Sequence, residues 1–122
     1  LIDTLSESIR LRLIADVPLG VFLSGGIDSS TIAALASRMS SGKLKTFAIG
    51  FKDASFDESS HAELVAKHLG TEHHTACFSP ELARETLEEL WGFLDEPIAD
   101  ASVVPTYFLS KMTRETVKVA LA

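Results

Sequence analysis

Apolar residues recur along this chain in two patterns that alternate from one end to the other. Positions spaced three and four residues apart predict five helices, and short apolar runs between them predict four strands. The predicted helices cover residues 1–15, about 28–40, a stretch that opens at 56–59 and ends at Gly70, a stretch from Pro80 to 94, and 103–115. The predicted strands cover residues 19–24, 46–51, 74–78 and the segment from Val117 onward.

Strands that alternate with helices in this way predict an α/β fold. We expect a parallel, Rossmann-like sheet with helices on both faces and right-handed crossovers. In such sheets, ligands bind at the carboxyl ends of the strands, near the point where the strand order reverses. Pro18 and Gly42 follow predicted helices, and Pro97 ends the fourth. Asp57 is a suitable N-cap for the third helix.

The junction between the first strand and the second helix is the most informative segment. The apolar run from Val21 to Leu23 is followed closely by Gly25 and Gly26, and then a helical pattern begins. A strand, a tight turn and a helix N-terminus in succession gather backbone N–H groups and the positive end of a helix dipole at one point. A phosphate chain is the ligand that such a point favours.

Asp28 places an acid inside this anion-binding segment. Its carboxylate repels phosphate unless a cation lies between them, and Mg²⁺ held by one carboxylate and by phosphate oxygens is a common arrangement. Asp28 therefore indicates a metal–nucleotide complex; the alternatives are that Asp28 caps the helix and that Gly25 and Gly26 form a plain turn. The Walker A motif and the dinucleotide-binding fingerprint do not fit, because no Gly-Lys-Ser/Thr occurs and the segment has only two glycines.

Composition narrows the class of protein. The 122 residues carry a net charge of −6 and show no basic stripe, which argues against double-stranded nucleic acid as a partner. The apolar runs are too short to span a bilayer, so we expect no membrane partner. Cys77 is the single cysteine, which excludes an internal disulfide and fits a reducing compartment.

Other residues with reactive or metal-binding side chains are expected to be structural. We expect Cys77 to behave as a small buried hydrophobe. The spacing of the four histidines matches no zinc-binding pattern. Neighbouring histidines on a strand also point to opposite faces, so we expect no metal cluster. The four are His61, His68, His73 and His74. The fourth helix is expected to bury an apolar stripe made of Leu87, Leu90, Trp91 and Leu94.

The string Ser24-Gly25-Gly26-Ile27-Asp28-Ser29-Ser30 resembles the SGGxDS pyrophosphate loop of the ATP pyrophosphatase superfamily. Its flanks resemble the glutamine-hydrolysing asparagine synthetases, and the resemblance covers essentially the whole chain in that family's order. The matching segments read RLIADVPLGV at 12–21, TFAIGF at 46–51, FDES at 56–59, HLGTEHH at 68–74, DEPIAD at 95–100 and PTYFLS at 105–110.

This resemblance implies an adenine nucleotide alpha hydrolase-like fold and ATP-dependent synthesis of asparagine. The β-carboxylate of aspartate attacks the α-phosphate of Mg-ATP, β-aspartyl-AMP and pyrophosphate form, and ammonia from a glutaminase domain then displaces AMP. The implied cofactors are ATP and Mg²⁺, and the implied partners are aspartate and the glutaminase domain of a longer chain. The cytoplasm is the implied location, and a homo-oligomer is compatible with the resemblance.

The resemblance also implies roles for individual residues. The loop would hold pyrophosphate, with Asp28 as the catalytic residue and as the ligand of Mg²⁺. Phe22 and Ile49 match positions that line the adenine and ribose, and Asp57 lies in a matching region. The implied ATP-binding residues are Phe22, Ser24, Gly25, Gly26, Asp28, Ser29 and Ile49.

In the family, a second loop of the form SGxGxDE follows the fourth strand and completes the ATP site. This sequence lacks that loop, so we expect residues 1–122 to be the N-terminal part of one synthetase domain, truncated after strand four and inactive by itself. Two alternatives stay open. One is another SGGxDS enzyme that adenylates its substrate, for tRNA thiolation or nucleotide amidation, and the other is a non-catalytic nucleotide-binding module.

Overall fold

The computed structural model describes residues 1–53, 55, 57–96 and 98–122. Within that part of the chain, the predicted order of helices and strands is confirmed. The elements are α1 (Ile2–Arg12), β1 (Leu19–Phe22), α2 (Ile27–Met39), β2 (Lys45–Phe51), α3 (Ser59–Leu69), β3 (Glu72–Phe78), α4 (Pro80–Leu90), α5 (Val103–Arg114) and β4 (Val119–Leu121). The predicted helix opening at Phe56 and the predicted break at Pro97 lie outside the described residues.

The strands form one parallel sheet in the order β3-β2-β1-β4. The chain first adds β2 and β3 on one side of β1 and then returns to add β4 on the other side. Right-handed crossovers therefore place α2 and α3 on one face and α4 and α5 on the opposite face. The strand order reverses at β1, so the carboxyl end of β1 is where a ligand-binding crevice is expected in this fold.

Several predicted boundaries differ from the structure by a few residues. Helix α1 ends at Arg12 instead of 15, β3 begins at Glu72 instead of 74, and α4 ends at Leu90 instead of 94. Val117 is buried, but the pairing of β4 with β1 begins only at Val119. Val117 is therefore buried beside the sheet without being part of a strand, although its apolar character predicted a strand residue.

The core lies where α2 and α3 cover the sheet. Helix α2 buries Ala33 and Ala36, and α3 buries Ala62 and Ala66, so small side chains at helical spacing let both helices approach the strands closely. The buried cluster consists of Ile9, Val21, Leu23, Ala33, Ala36, Leu44, Ala48, Ala62 and Ala66.

Three predictions of burial were wrong. Leu90 is buried, but Leu87 is 36% exposed and Trp91 is 60% exposed. The buried face of α4 carries Thr86 and Leu90, so the face one position further round the helix, with Leu87 and Trp91, lies toward solvent. Cys77 is exposed, since its strand, β3, lies at the edge of the sheet described here and pairs only with β2. The exposure of all three residues depends on which face of an element its neighbours cover, which spacing along the chain does not specify.

We expect Leu23→Ala to lower the free energy of unfolding by about 2–5 kcal/mol, because the change leaves a cavity in a packed core. Leu23 is 1% exposed, whereas Leu64 on α3 is 72% exposed and provides a control with the same side chain. Leu64→Ala should change stability by less than about 0.5 kcal/mol. Chemical denaturation of the two variants and the wild type measures the difference, and equal effects would contradict the packing described above.

Candidate functional site

The Ser-Gly-Gly turn, residues 24–26, connects the carboxyl end of β1 to the first turn of α2. The Ser24 and Ser29 hydroxyl oxygens lie 2.9 Å apart, and the backbone N–H of Ser24 donates to the Ser29 hydroxyl at 3.3 Å. The N–H of Gly26 donates to the Ser24 hydroxyl at 3.3 Å. The two serines thus connect the start of the turn to the first turn of the helix, and their hydroxyls lie together beside the helix N-terminus.

Gly25 lies where this turn meets α3. Its φ of +85° belongs to the left-handed region that residues with a Cβ rarely adopt. A Cβ at Gly25 would lie 2.6 Å from the backbone nitrogen of Ala62 and 2.7 Å from His61. Glycine is therefore required here for two reasons, the backbone angle and the direct contact of the turn with the backbone of α3.

Asp28 is the second residue of α2 and is exposed. The N-cap of α2 is Gly26, and no side chain caps the helix. The alternative that Asp28 is the capping residue is therefore wrong. No described residue donates a hydrogen bond to its carboxylate, and the positive end of the helix dipole favours a negative charge at this position. The carboxylate is accessible to a cation.

A cleft of about 310 Å³ opens beside the turn, at the carboxyl ends of β1 and β2. Four of the predicted site residues line it: Phe22, Ser24, Ser29 and Ile49. Gly25, Gly26 and Asp28 do not line the cleft and belong to the adjoining turn and helix start. The structure thus places the predicted residues near the carboxyl ends of β1 and β2, four of them in a mainly apolar cleft and three in the turn and helix start beside it.

Several cleft residues had no predicted role. Phe51, Glu58, Ser59 and Leu109 also line the cleft. Ser59 is the first residue of α3. A serine at the start of a helix that follows a strand, as in the segment FDES, was therefore a usable signal. Leu109 comes from α5 on the other face of the sheet, and no signal in the sequence connects it with the turn.

Asp57 holds the segment between β2 and α3. Its Oδ1 accepts hydrogen bonds from the N–H of Phe51 at 3.2 Å and from the N–H of Ser59 at 3.1 Å. The Ser59 hydroxyl and N–H, together with the Phe51 N–H, favour the ionised form and lower the pKa of Asp57. The predicted N-cap was wrong by one residue, because Glu58 is the N-cap and makes no side-chain capping bond.

The histidines of β3 lie near the amino end of the strand and do not line the cleft. The Nδ1 atom of His73 lies 2.9 Å from the Thr46 hydroxyl, and burial lowers the pKa of His73. The ring of His74 stacks on Phe47 with centroids 5.1 Å apart, and its Nε2 lies 3.1 Å from a Glu72 carboxylate oxygen. These contacts are between neighbouring strands or within β3, and they hold both side chains within the sheet. The buried Nε2 atom of His73 has no hydrogen-bond partner among the described residues.

Comparison with known proteins identifies the family. The family model described as asparagine synthase matches residues 1–122. This chain belongs to the asparagine synthase family. Asparagine synthetase [glutamine-hydrolyzing] 1 of Bacillus subtilis is 38% identical over 120 residues, which are 98% of this chain and 19% of that protein. A putative asparagine synthetase [glutamine-hydrolyzing] of Mycobacterium bovis is 41% identical over 118 residues, 97% of this chain and 18% of that protein. The chain thus spans about a fifth of the length of these relatives.

Solved structures of other proteins have the same fold as this chain. The NH3-dependent NAD synthetase of Campylobacter jejuni matches with a TM-score of 0.63 and 13% identity, over 98% of this chain and 53% of that one. The NMN synthetase of Francisella tularensis matches with a TM-score of 0.63 and 15% identity, over the same shares of the two chains. At these identities the comparison concerns the fold alone, and it confirms the predicted Rossmann-like α/β sheet.

None of the helices within the described ranges has the length and apolar character that crossing a bilayer requires.

Three glycine-to-alanine changes separate the two requirements at Gly25. Gly25→Ala adds backbone strain and a clash, so it should destabilise the protein by more than the roughly 1–2 kcal/mol expected for the left-handed angle alone. Gly70, with φ of +69° and open space around its Cβ position, reports strain without a clash. Gly42 has neither and should tolerate alanine. Chemical denaturation gives the three values, and a Gly25→Ala protein no less stable than Gly70→Ala would contradict the contact with α3.

Proposed function

We propose that this chain forms the pyrophosphate-binding part of the ATP site of an asparagine synthetase. The observation that carries the proposal is the exposed Asp28 carboxylate, which caps no helix and lies beside the Ser-Gly-Gly turn at the N-terminus of α2. Membership of the asparagine synthase family supports the choice of reaction. The apolar cleft next to the turn supports the choice of a nucleotide over free pyrophosphate.

The groups present suit a magnesium–phosphate complex. Backbone N–H groups at the start of α2 and the hydroxyls of Ser24 and Ser29 are donors for phosphate oxygens. The Asp28 carboxylate is an oxygen ligand of the kind that Mg²⁺ prefers. When bound, the metal would neutralise charge on the phosphates. Phe22 and Ile49, on the adjoining cleft wall, would contact the adenosine part of the nucleotide.

The proposed reaction activates aspartate by transfer of the AMP part of ATP to its β-carboxylate, with release of pyrophosphate. Ammonia derived from glutamine then displaces AMP and yields asparagine. The contribution of this chain is to bind and orient the phosphates, so that the α-phosphate meets the attacking carboxylate and the leaving pyrophosphate is stabilised. We place this reaction in the cytoplasm.

Pyrophosphate binding by the 122-residue chain tests the role of Asp28. With Mg²⁺ present, Asp28→Asn should weaken binding by roughly tenfold or more, because a metal ligand is lost. Without Mg²⁺, the same change should leave binding unchanged or strengthen it, because a negative charge that repels phosphate is removed. Isothermal titration calorimetry with and without Mg²⁺ measures both effects.

Asp3 provides the matched control for this experiment. It is exposed and occupies the second position of α1, as Asp28 does in α2. Asp3→Asn should leave pyrophosphate affinity unchanged with and without Mg²⁺. If Asp28→Asn behaves like Asp3→Asn, Asp28 is not a metal ligand.

A chimera tests the complete reaction. This chain would replace the matching segment of the Bacillus subtilis asparagine synthetase, to which it is 38% identical. We expect the chimera to form AMP and asparagine in equal amounts from ATP, aspartate and glutamine, and the Asp28→Asn chimera to lose most of both activities. A chimera that binds Mg-ATP but adenylates a different carboxylate, with no product from aspartate, would favour another adenylating enzyme.

A further inference from the structure

Asp57 connects the end of β2 to the beginning of α3 through one carboxylate oxygen. The two N–H groups that it accepts belong to the last residue of β2, Phe51, and to the first residue of α3, Ser59. The position of the helix start relative to the sheet therefore depends on this oxygen. A negative charge just before a helix is also favoured by the helix dipole.

Close packing under Asp57 shows that the connection is tight. A Cβ at Gly50 would lie 3.2 Å from the Asp57 Oδ1 atom and 3.1 Å from the Ser59 hydroxyl oxygen. Gly50 is buried within β2, so the lack of a side chain there lets the carboxylate and the helix start lie directly against the strand. The segment has little room to shift toward the sheet.

The first turn of α3 is also the surface against which the Ser-Gly-Gly turn packs. Ala62, three residues after Ser59, is fully buried, and its backbone nitrogen lies 2.6 Å from the Cβ position of Gly25. Ser59 itself lines the cleft. A displacement of the start of α3 would therefore reach both the turn and the cleft wall.

We propose that Asp57 is a positioning residue for the Ser-Gly-Gly turn, and that it acts through the first turn of α3. The part of this inference that concerns ligand binding rests on the proposed function; the mechanical part does not. Asp57 holds α3 against β2, and α3 supports Gly25. Gly25 and the adjoining Gly26 then keep their N–H groups in the arrangement that receives phosphate.

Backbone amide measurements test the mechanical part without any ligand. In ¹H–¹⁵N spectra of the 122-residue chain, Asp57→Ala should shift the Gly25 and Gly26 resonances and speed their hydrogen exchange. Asp57→Asn, which keeps an oxygen acceptor but loses the charge, should shift the same resonances in the same direction and by less than Asp57→Ala does. If Asp57→Ala changes only residues of the β2–α3 segment and leaves both glycines unchanged, the inference is wrong.

Asp53 supplies the control within the same segment. Its Oδ1 accepts from the N–H of Ser55, two residues on, at 2.9 Å, which repeats the local part of the Asp57 arrangement. None of its described hydrogen bonds reaches a strand or helix. Asp53→Ala should leave the Gly25 and Gly26 amides as in the wild type, and an equal shift there would show a non-specific effect of the segment and overturn the inference.

An acid titration covers the case in which Asp57→Ala does not fold. As pH falls through the lowered pKa of Asp57, the wild-type Gly25 and Gly26 amides should shift together with those of Phe51 and Ser59. The same transition should be missing from Asp57→Asn. Glycine amides that show no such difference between the two proteins would overturn the inference.

Pyrophosphate titration then separates this inference from the proposed function. If wild type binds Mg-pyrophosphate, Asp57→Ala should weaken that binding by roughly tenfold, as expected when a supporting residue behind a binding group is lost. Gly50→Ala should have the same effect and replaces Asp57→Ala if that variant does not fold. Asp53→Ala should leave the affinity for Mg-pyrophosphate unchanged. Wild type without affinity refutes the proposed function and leaves the amide results to decide on Asp57. Wild-type binding with unchanged affinity in the variants refutes the role of Asp57 in binding.

Discussion

The contact between the Ser-Gly-Gly turn and the backbone of α3 is the constraint on which the site depends. Gly25 has a positive φ, and its Cβ position is already within 2.6 Å of a backbone nitrogen of α3. The turn, the start of α2 and the cleft wall formed by Ser59 therefore have a shared support. Because backbone contacts cannot be adjusted by rotating a side chain, the position of α3 sets the position of the turn.

The charges at the start of α2 determine which ligands this part of the molecule suits. The N-terminus of α2 carries partial positive charge, and glycine at the N-cap leaves the capping position without a side-chain acceptor. Asp28 adds a carboxylate in the first turn without occupying the donors of the turn. Backbone donors at a helix N-terminus and an exposed carboxylate thus lie side by side, which is the arrangement that the proposed magnesium–phosphate complex needs.

The sequence was most informative where one local requirement excluded other residues. The strand, the glycine pair and the following helix predicted the turn and its place at a strand's carboxyl end, and the structure agrees. The sequence was least informative where burial depends on distant elements. Cys77 is exposed because β3 is an edge strand, and Trp91 is exposed because the covered face of α4 is the one with Thr86 and Leu90. Neither reason is visible in local spacing.

The order of the elements, the α/β class and the composition of the turn were determined by the sequence itself, because periodicity and glycine positions express local geometry. The tertiary structure alone decided that α3 contacts Gly25 and that Asp57 accepts hydrogen bonds from both β2 and α3. It also decided that Leu109 and Ile49 line the same cleft. These contacts join segments that are separated along the chain. They follow from the strand order β3-β2-β1-β4 and the placement of helices on both faces, which local spacing along the chain does not specify.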